Sequence, residues 1–105
     1  MDSYQKKQSI KFWAEDDRPR EKLLLKGKSA LSDAELMAIL LRSGDQKKSA
    51  VDLAKDILDT ASNNLIELSK FRIDDFLKFK GIGEAKALSI ISALELGRRR
   101  RGAEV

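Results

Sequence analysis

The run Phe79-Lys80-Gly81-Ile82-Gly83-Glu84-Ala85-Lys86-Ala87 sets two glycines around one apolar residue, between two stretches of helical spacing. Ile73, Phe76, Leu77 and Phe79 come before the turn, and Ala87, Ile90, Ile91 and Leu94 follow it at i, i+3, i+4 and i+7. Glycine lets a backbone turn tightly and lets a ligand approach it closely. At least one of the pair is expected at positive φ, and Gly83→Val is expected to damage both fold and binding. Ile82, apolar at the centre of the turn, is expected to plug between the flanking helices. The turn opens the start of the next helix, whose first N–H groups have no intrahelical acceptor and whose dipole favours an anion. Small Ala87 lets the two helices pack closely.

This is the pattern of a helix-hairpin-helix, a module that grips nucleic-acid phosphates through backbone amides. Lys86, on the first turn of the following helix, and Lys80, before the turn, are candidates for charge-assisted phosphate contacts. The alternative for each is an ordinary solvated lysine. Glu84 suits a helix start but competes with a phosphate there.

Outward from the turn, the pattern stays helical. Ala50, Leu53, Ala54, Ile57, Leu58 and Ala61 make the clearest amphipathic stripe, with Ser49 as its cap. Asn63-Asn64 breaks that helix and starts the short Leu65–Leu68 segment. Ser32-Asp33-Ala34-Glu35 reads as a capping box. Behind it, Leu36, Ile39 and Leu40 share a face that Met37 and Leu41 widen, and Gly44 is placed as the residue that ends the helix. Pro19 suits a first helical position in a helix entered at Asp17 and stopped by Gly27. Ile10, Phe12 and Trp13 form an apolar patch, read as a strap on the bundle or, in the alternative, as a base-stacking surface. Residues 44–48 repeat the hairpin plan without its second glycine, so Lys47, Lys48 and the start at Ser49 are expected to hold a second phosphate. The alternative is a plain helix connection.

The expected architecture is all-α, about six short helices in a bundle of paired helix-hairpin-helix elements. Residues 10–101 form the domain, residues 1–9 a flexible N-terminal tail, and residues 102–105 a tail or linker. Proline occurs once and glycine six times in 105 residues, too little punctuation for a β-sandwich or barrel.

Cysteine and histidine are both absent, which removes disulfides, Cys and His zinc ligands, Cys nucleophiles and His bases. No stretch nears the ~20 apolar residues of a membrane span, and the polar N-terminus has no secretory h-region. A cytoplasmic protein with no membrane partner is expected. Residues 1–69 carry 12 Lys+Arg and 12 Asp+Glu; residues 70–105 carry 9 and 5, so the whole excess of +4 lies there. It equals the run Arg98-Arg99-Arg100-Arg101. Arg98 and Arg99 are therefore candidate DNA contacts, although cations also suit a helix C-terminus. The pairs Asp16-Asp17 and Asp74-Asp75 read as helix-start carboxylates rather than magnesium ligands.

Arg18-Pro19-Arg20-Glu21-Lys22-Leu23, Ala30-Leu31-Ser32-Asp33-Ala34-Glu35-Leu36, Leu40-Leu41-Arg42-Ser43-Gly44, Gly81-Ile82-Gly83-Glu84-Ala85-Lys86-Ala87 and Ala93-Leu94-Glu95-Leu96-Gly97-Arg98-Arg99 together resemble the N-terminal domain of the bacterial RadC family. The resemblance runs from about Ile10 to Arg99. It implies a link to DNA repair. It also implies a second, C-terminal domain like the JAB/MPN metal-dependent proteases, whose histidine-bearing zinc motif this chain lacks. A domain or truncation of a longer protein is the expectation. Two departures stand out: Glu84 where many relatives have Pro, and Arg72 near a position where they have a Ser or Thr cap.

These readings converge on a non-enzymatic, cofactor-free, sequence-independent DNA-binding module. The contacts would come from Gly81, Ile82 and Gly83, aided by Lys86, Lys80, Lys47, Lys48, Arg98 and Arg99. The rival is a protein-interaction or regulatory module for the JAB/MPN-like hydrolase domain. Fold alone does not separate the two.

Overall fold

The computed structural model describes the backbone of residues 3–103 and the side chains of residues 14–102. The Ile10, Phe12 and Trp13 side chains lie outside the described residues. Among the described residues six α-helices follow one another: α1 (Ser3–Lys26), α2 (Asp33–Leu41), α3 (Ala50–Thr60), α4 (Leu65–Leu68), α5 (Ile73–Leu77) and α6 (Glu84–Ala103). A single 3-10 turn, Lys28–Ala30, lies between α1 and α2. No strand occurs among the described residues. The chain divides into two compact units, Met1–Asp56 and Ile57–Val105, with the division inside α3.

In the first unit α1 packs on α2 and on the 3-10 turn. It begins at Ser3, so it covers most of the stretch read above as a tail, and Pro19 sits inside it rather than at its first turn. Proline at that place forfeits the N–H that would bond the Glu15 carbonyl. Its ring is buried, and the carboxylate of Asp16 anchors the same turn. Gly27 stops the helix as expected: its φ is 87°, and its N–H donates to the Leu23 carbonyl at 3.0 Å.

α2 carries the expected capping box. Ser32 Oγ accepts from the Glu35 amide at 3.1 Å, and Glu35 Oε1 accepts from the Ser32 amide at 2.9 Å. Lys22 Nζ on α1 lies 3.1 Å from both Glu35 oxygens, so one carboxylate caps α2 and ties it to α1. The Ser32 amide first, then Lys22, hold the Glu35 carboxyl below the usual carboxylate range. The buried face of α2 corrects the sequence reading. Ala34, Met37, Ala38 and Leu41 are buried, whereas Leu36 and Leu40 are exposed. Asp33–Leu41 is apolar on nearly every side, so periodicity could not choose the face; small Ala34 and Ala38 took the tight contact.

Every residue of the predicted stripe, which runs along α3 to Ala61 just past its end, is buried, with Ala50, Ala54 and Ile57 fully so. The helix ends in two residues at positive φ, Ser62 (57°) and Asn63 (55°), and Asn63 N–H donates to the Leu58 carbonyl at 2.8 Å. Asn64 then caps α4, its Oδ1 accepting from Ile66 and Glu67 at 2.8 and 3.2 Å.

In the second unit α5 packs on α6. Leu68, Phe76, Ile82, Ala87 and Ile90 are buried, and Phe71 meets Phe76 with ring centroids 5.4 Å apart. Full burial of a side chain such as Phe76 is worth about 1.5–3 kcal/mol. At Arg72, where a Ser or Thr cap was missing, Asp75 Oδ2 accepts from the Arg72 amide at 2.8 Å. α6 continues through Gly102 and Ala103, past the expected domain boundary.

Candidate nucleic-acid interface

The α5–α6 connection is a tight turn. Phe79 N–H donates to the Phe76 carbonyl and Ile82 N–H to the Phe79 carbonyl, each at 3.1 Å. Ile82 is buried, as its plug role requires. The positive φ belongs to Gly81, at 93°, and not to Gly83. Gly83 accepts the first bond of α6, from Ala87 N–H at 3.1 Å, and a Cβ built on it meets nothing within 4 Å. The fold therefore requires glycine at 81 but not at 83, which corrects the expectation that Gly83→Val breaks the turn for want of positive φ. What Gly83 leaves is open space beside the first amides of α6. Among the described residues no protein acceptor meets the amides of Gly83, Glu84 and Ala85. Lys80 is exposed, while Lys86 is half-buried and engages a group within the chain.

The α2–α3 connection follows a similar path to a different end. Here the positive φ falls on Arg42 (69°), whose N–H donates to the Ala38 carbonyl at 3.0 Å, and not on Gly44. Gly44 is glycine for another reason: a Cβ there would stand 1.9 Å from the Lys48 carbonyl oxygen. Asp45 Oδ1 accepts from the amides of both Lys47 and Lys48 at 2.7 Å. Asp16, reaching across from α1, accepts from the Ala50 amide at 2.6 Å and the Gly44 amide at 3.3 Å. Ser49 Oγ takes the Asp52 amide at 3.3 Å. The amides expected to hold a second phosphate are thus committed to the protein's own carboxylates. Lys48 Nζ pairs with Asp56, which raises the ammonium's pKa; the Lys47 side chain is exposed.

Arg98 and Arg99 occupy the far end of α6, roughly 22 Å from Gly83 at 1.5 Å per residue. Both bind Glu95: Arg98 with Nε to Oε1 at 3.0 Å and a second nitrogen to Oε2 at 2.8 Å, and Arg99 with Nε to Oε2 at 3.0 Å. The two guanidiniums, Arg98 foremost, hold the Glu95 carboxyl down to about 2. Lys80, Gly81–Gly83 and Lys86 thus flank one turn of the second unit, the loop lysines 47 and 48 belong to the first unit, and the terminal arginines sit near the other end of α6.

Three of the four paired acids, Asp16, Asp17 and Asp75, serve structure. Asp16 caps α3, Asp17 faces Arg20 at 3.9 Å, and Asp75 caps α5 and faces Lys78 at 3.8 Å. Among the described residues no group of three or more acidic side chains is placed to hold a metal ion, and no helix is long and apolar enough to cross a membrane. Sequence reasoning missed what Asp16 and Asp45 do. Asp45 had a local signal, an Asx turn onto the amides two and three residues on. Asp16 had none, since its partners lie 28 and 34 residues away.

Fold and site define an all-α domain with one internally closed and one open glycine turn ahead of a helix. The chain belongs to the UPF0758 N-terminal family, whose model matches residues 10–88, in agreement with the RadC-family resemblance of its motifs. It is 61% identical over 97 residues to a UPF0758 protein of Flavobacterium johnsoniae, covering 92% of this chain and 42% of that protein. A UPF0758 protein of Trichlorobacter lovleyi is 50% identical over 93 residues, covering 87% and 40%. One of Porphyromonas gingivalis is 45% identical over 92 residues, covering 87% and 40%. The chain thus spans about two fifths of the length of these relatives. No solved structure matches it significantly.

Proposed function

We propose that this domain is a non-enzymatic module that holds DNA by its phosphate backbone, without regard to sequence, at the α5–α6 turn. The amides at the start of α6 supply the seat, Gly83 leaves room for the phosphate to reach them, and Lys80 and Lys86 supply positive charge. One observation carries this reading: Gly83 is open where the fold does not need it to be, beside amides that no protein acceptor meets among the described residues. Phosphate contacts position a duplex but read no bases, hence the lack of sequence preference. Any hydrolytic chemistry, and any role in DNA repair, belongs on this view to the longer relatives as whole proteins.

Fluorescence anisotropy of a labelled 16-base-pair duplex, followed across salt, tests the proposal. With one open turn the log–log salt slope should be about −1 to −2, and scrambling the duplex sequence should leave affinity unchanged. Absence of binding at low salt by a folded domain, or a strong preference for one sequence, would refute it.

A further inference from the structure

We propose that a groove between α4 and α6 docks an amphipathic helix of a protein partner, its apolar side seated on the groove floor and acidic residues along its edge. This goes beyond the DNA reading, since it assigns a second surface to the domain. The groove has a volume of about 570 Å³ and lies wholly within the second unit, on a floor of Leu65, Ile66, Phe71, Ile91 and Leu94. Leu65 and Ile66 are 43% and 65% exposed on a four-residue helix that buries only Leu68. Ile91 and Leu94 are half-buried one turn apart on α6.

Two further observations say what fits. Gly97 lines the groove from within α6, where glycine is a poorer helix residue than alanine, yet a Cβ on it meets nothing within 4 Å. Nothing inside the described protein uses that space, so an occupant can approach the α6 backbone closely. The charged residues that line the groove are Glu95, Arg98 and Arg101, two cations to one anion. Arg98 shares Glu95 with Arg99, and Arg101 is exposed with no ion pair among the described residues. The edge is therefore positive and the floor aliphatic. A helix with large apolar residues at i, i+3 or i+4 and i+7 fits that floor, and a carboxylate beside them answers Arg101. A nucleic acid would meet the arginines but find little to stack on, because Phe71 is the one aromatic side chain lining the groove among the described residues.

Selection from a helix-biased phage-displayed peptide library, with the 105-residue chain as bait and its Ile66→Asp variant as counter-bait, tests this. Ile66 is largely exposed, so that variant should keep the helical spectrum of the parent. Enriched peptides should be net acidic, with the apolar spacing above. A synthetic copy should shift the amides of Ile66, Leu94 and Gly97. Its affinity should fall tenfold or more with Ile66→Asp and with Gly97→Leu, which fills the groove without loss of fold. It should fall several-fold with Arg101→Glu and recover when the facing peptide acid is changed to Lys. No enrichment, enrichment of basic or charge-indifferent peptides, or equal binding to Ile66→Asp overturns the proposal. So does self-association abolished by Ile66→Asp, which assigns the groove to a second copy, or a shift of the same amides by duplex DNA.

Discussion

The α2–α3 and α5–α6 connections answer one problem in opposite ways. Each delivers the chain through a glycine-containing turn into the start of a helix, where backbone N–H groups need acceptors. In the first, the protein supplies them: Asp45 takes the Lys47 and Lys48 amides, and Asp16 takes those of Gly44 and Ala50. Its glycine is required by a carbonyl that leaves no room for a Cβ. In the second, Gly81 makes the turn, Gly83 faces open space, and the amides beside it have no acceptor among the described residues. A carboxylate in an amide seat is an internal substitute for a phosphate. One turn is thus closed and structural, the other open and available, although both read as helix-glycine-helix.

The largest effect expected from breaking this contrast is on the closed side. Asp16→Ala leaves two amides without their charged acceptor, one at a buried helix start, at a cost of about 3 kcal/mol. The melting temperature should fall by about 10–20 °C for a domain of this size. A drop of only a degree or two would show that the carboxylate is replaceable by solvent.

The two glycines of the open turn should separate next. Gly81→Val forces a branched side chain to positive φ and should cost about 2 kcal/mol. Gly83→Ala should be nearly neutral by urea unfolding, yet weaken DNA binding severalfold by crowding the amides. Equal destabilisation by both would place the structural requirement on the wrong residue.

A smaller, paired effect is expected on salt dependence. Lys86→Ala should lower the salt slope of DNA binding by up to about one, with a stability loss limited to the contact that Lys86 makes inside the chain. Asp45→Ala should do the reverse. It should cost about 1 kcal/mol of stability and, by freeing the Lys47 and Lys48 amides, add up to about one to the slope. Parallel binding curves for all three proteins would mean that neither turn touches a phosphate.

The smallest effect concerns the arginine end of α6, which belongs to neither turn. The Glu95 carboxyl is held below its ordinary 4.5, down to about 2, by Arg98 and Arg99. A carboxyl depressed in the folded state stabilises it above the unfolded pKa. That contribution is lost as pH falls through the window from 4.5 towards 2. Protection of the amides around residues 95–101, relative to their intrinsic exchange rate at each pH, should fall over this range, and Glu95→Gln should flatten the response. Exposure of the pair keeps the effect modest.

What could be read from the sequence was local. The six-residue stripe of α3, the Ser32–Glu35 box, the stop at Gly27 and the re-capping at Asn64 each depend on residues within a few positions of one another, and all appear in the structure. The α2 face was illegible because leucines surround the helix, and packing favoured the alanine side. Pro19 read as a helix start because a proline inside a helix costs about 3 kcal/mol, and only tertiary burial offsets that. Within the site, Ile82 as plug was legible from its polarity alone. That Asp16 closes the first turn was not, because the pairing spans 28 and 34 residues of chain. The sequence therefore showed two similar turns and could not show which was already filled.

Titration of the 15N-labelled domain with a short DNA duplex, read amide by amide, tests the central claim most directly. The amides of Gly83, Glu84, Ala85 and Lys86 should shift first and furthest, while those of Lys47, Lys48 and Ala50 stay in place. Shifts confined to Lys47–Ala50 or to Arg98–Arg101, or none at all from a folded domain, would contradict the assignment of the open turn as the phosphate seat.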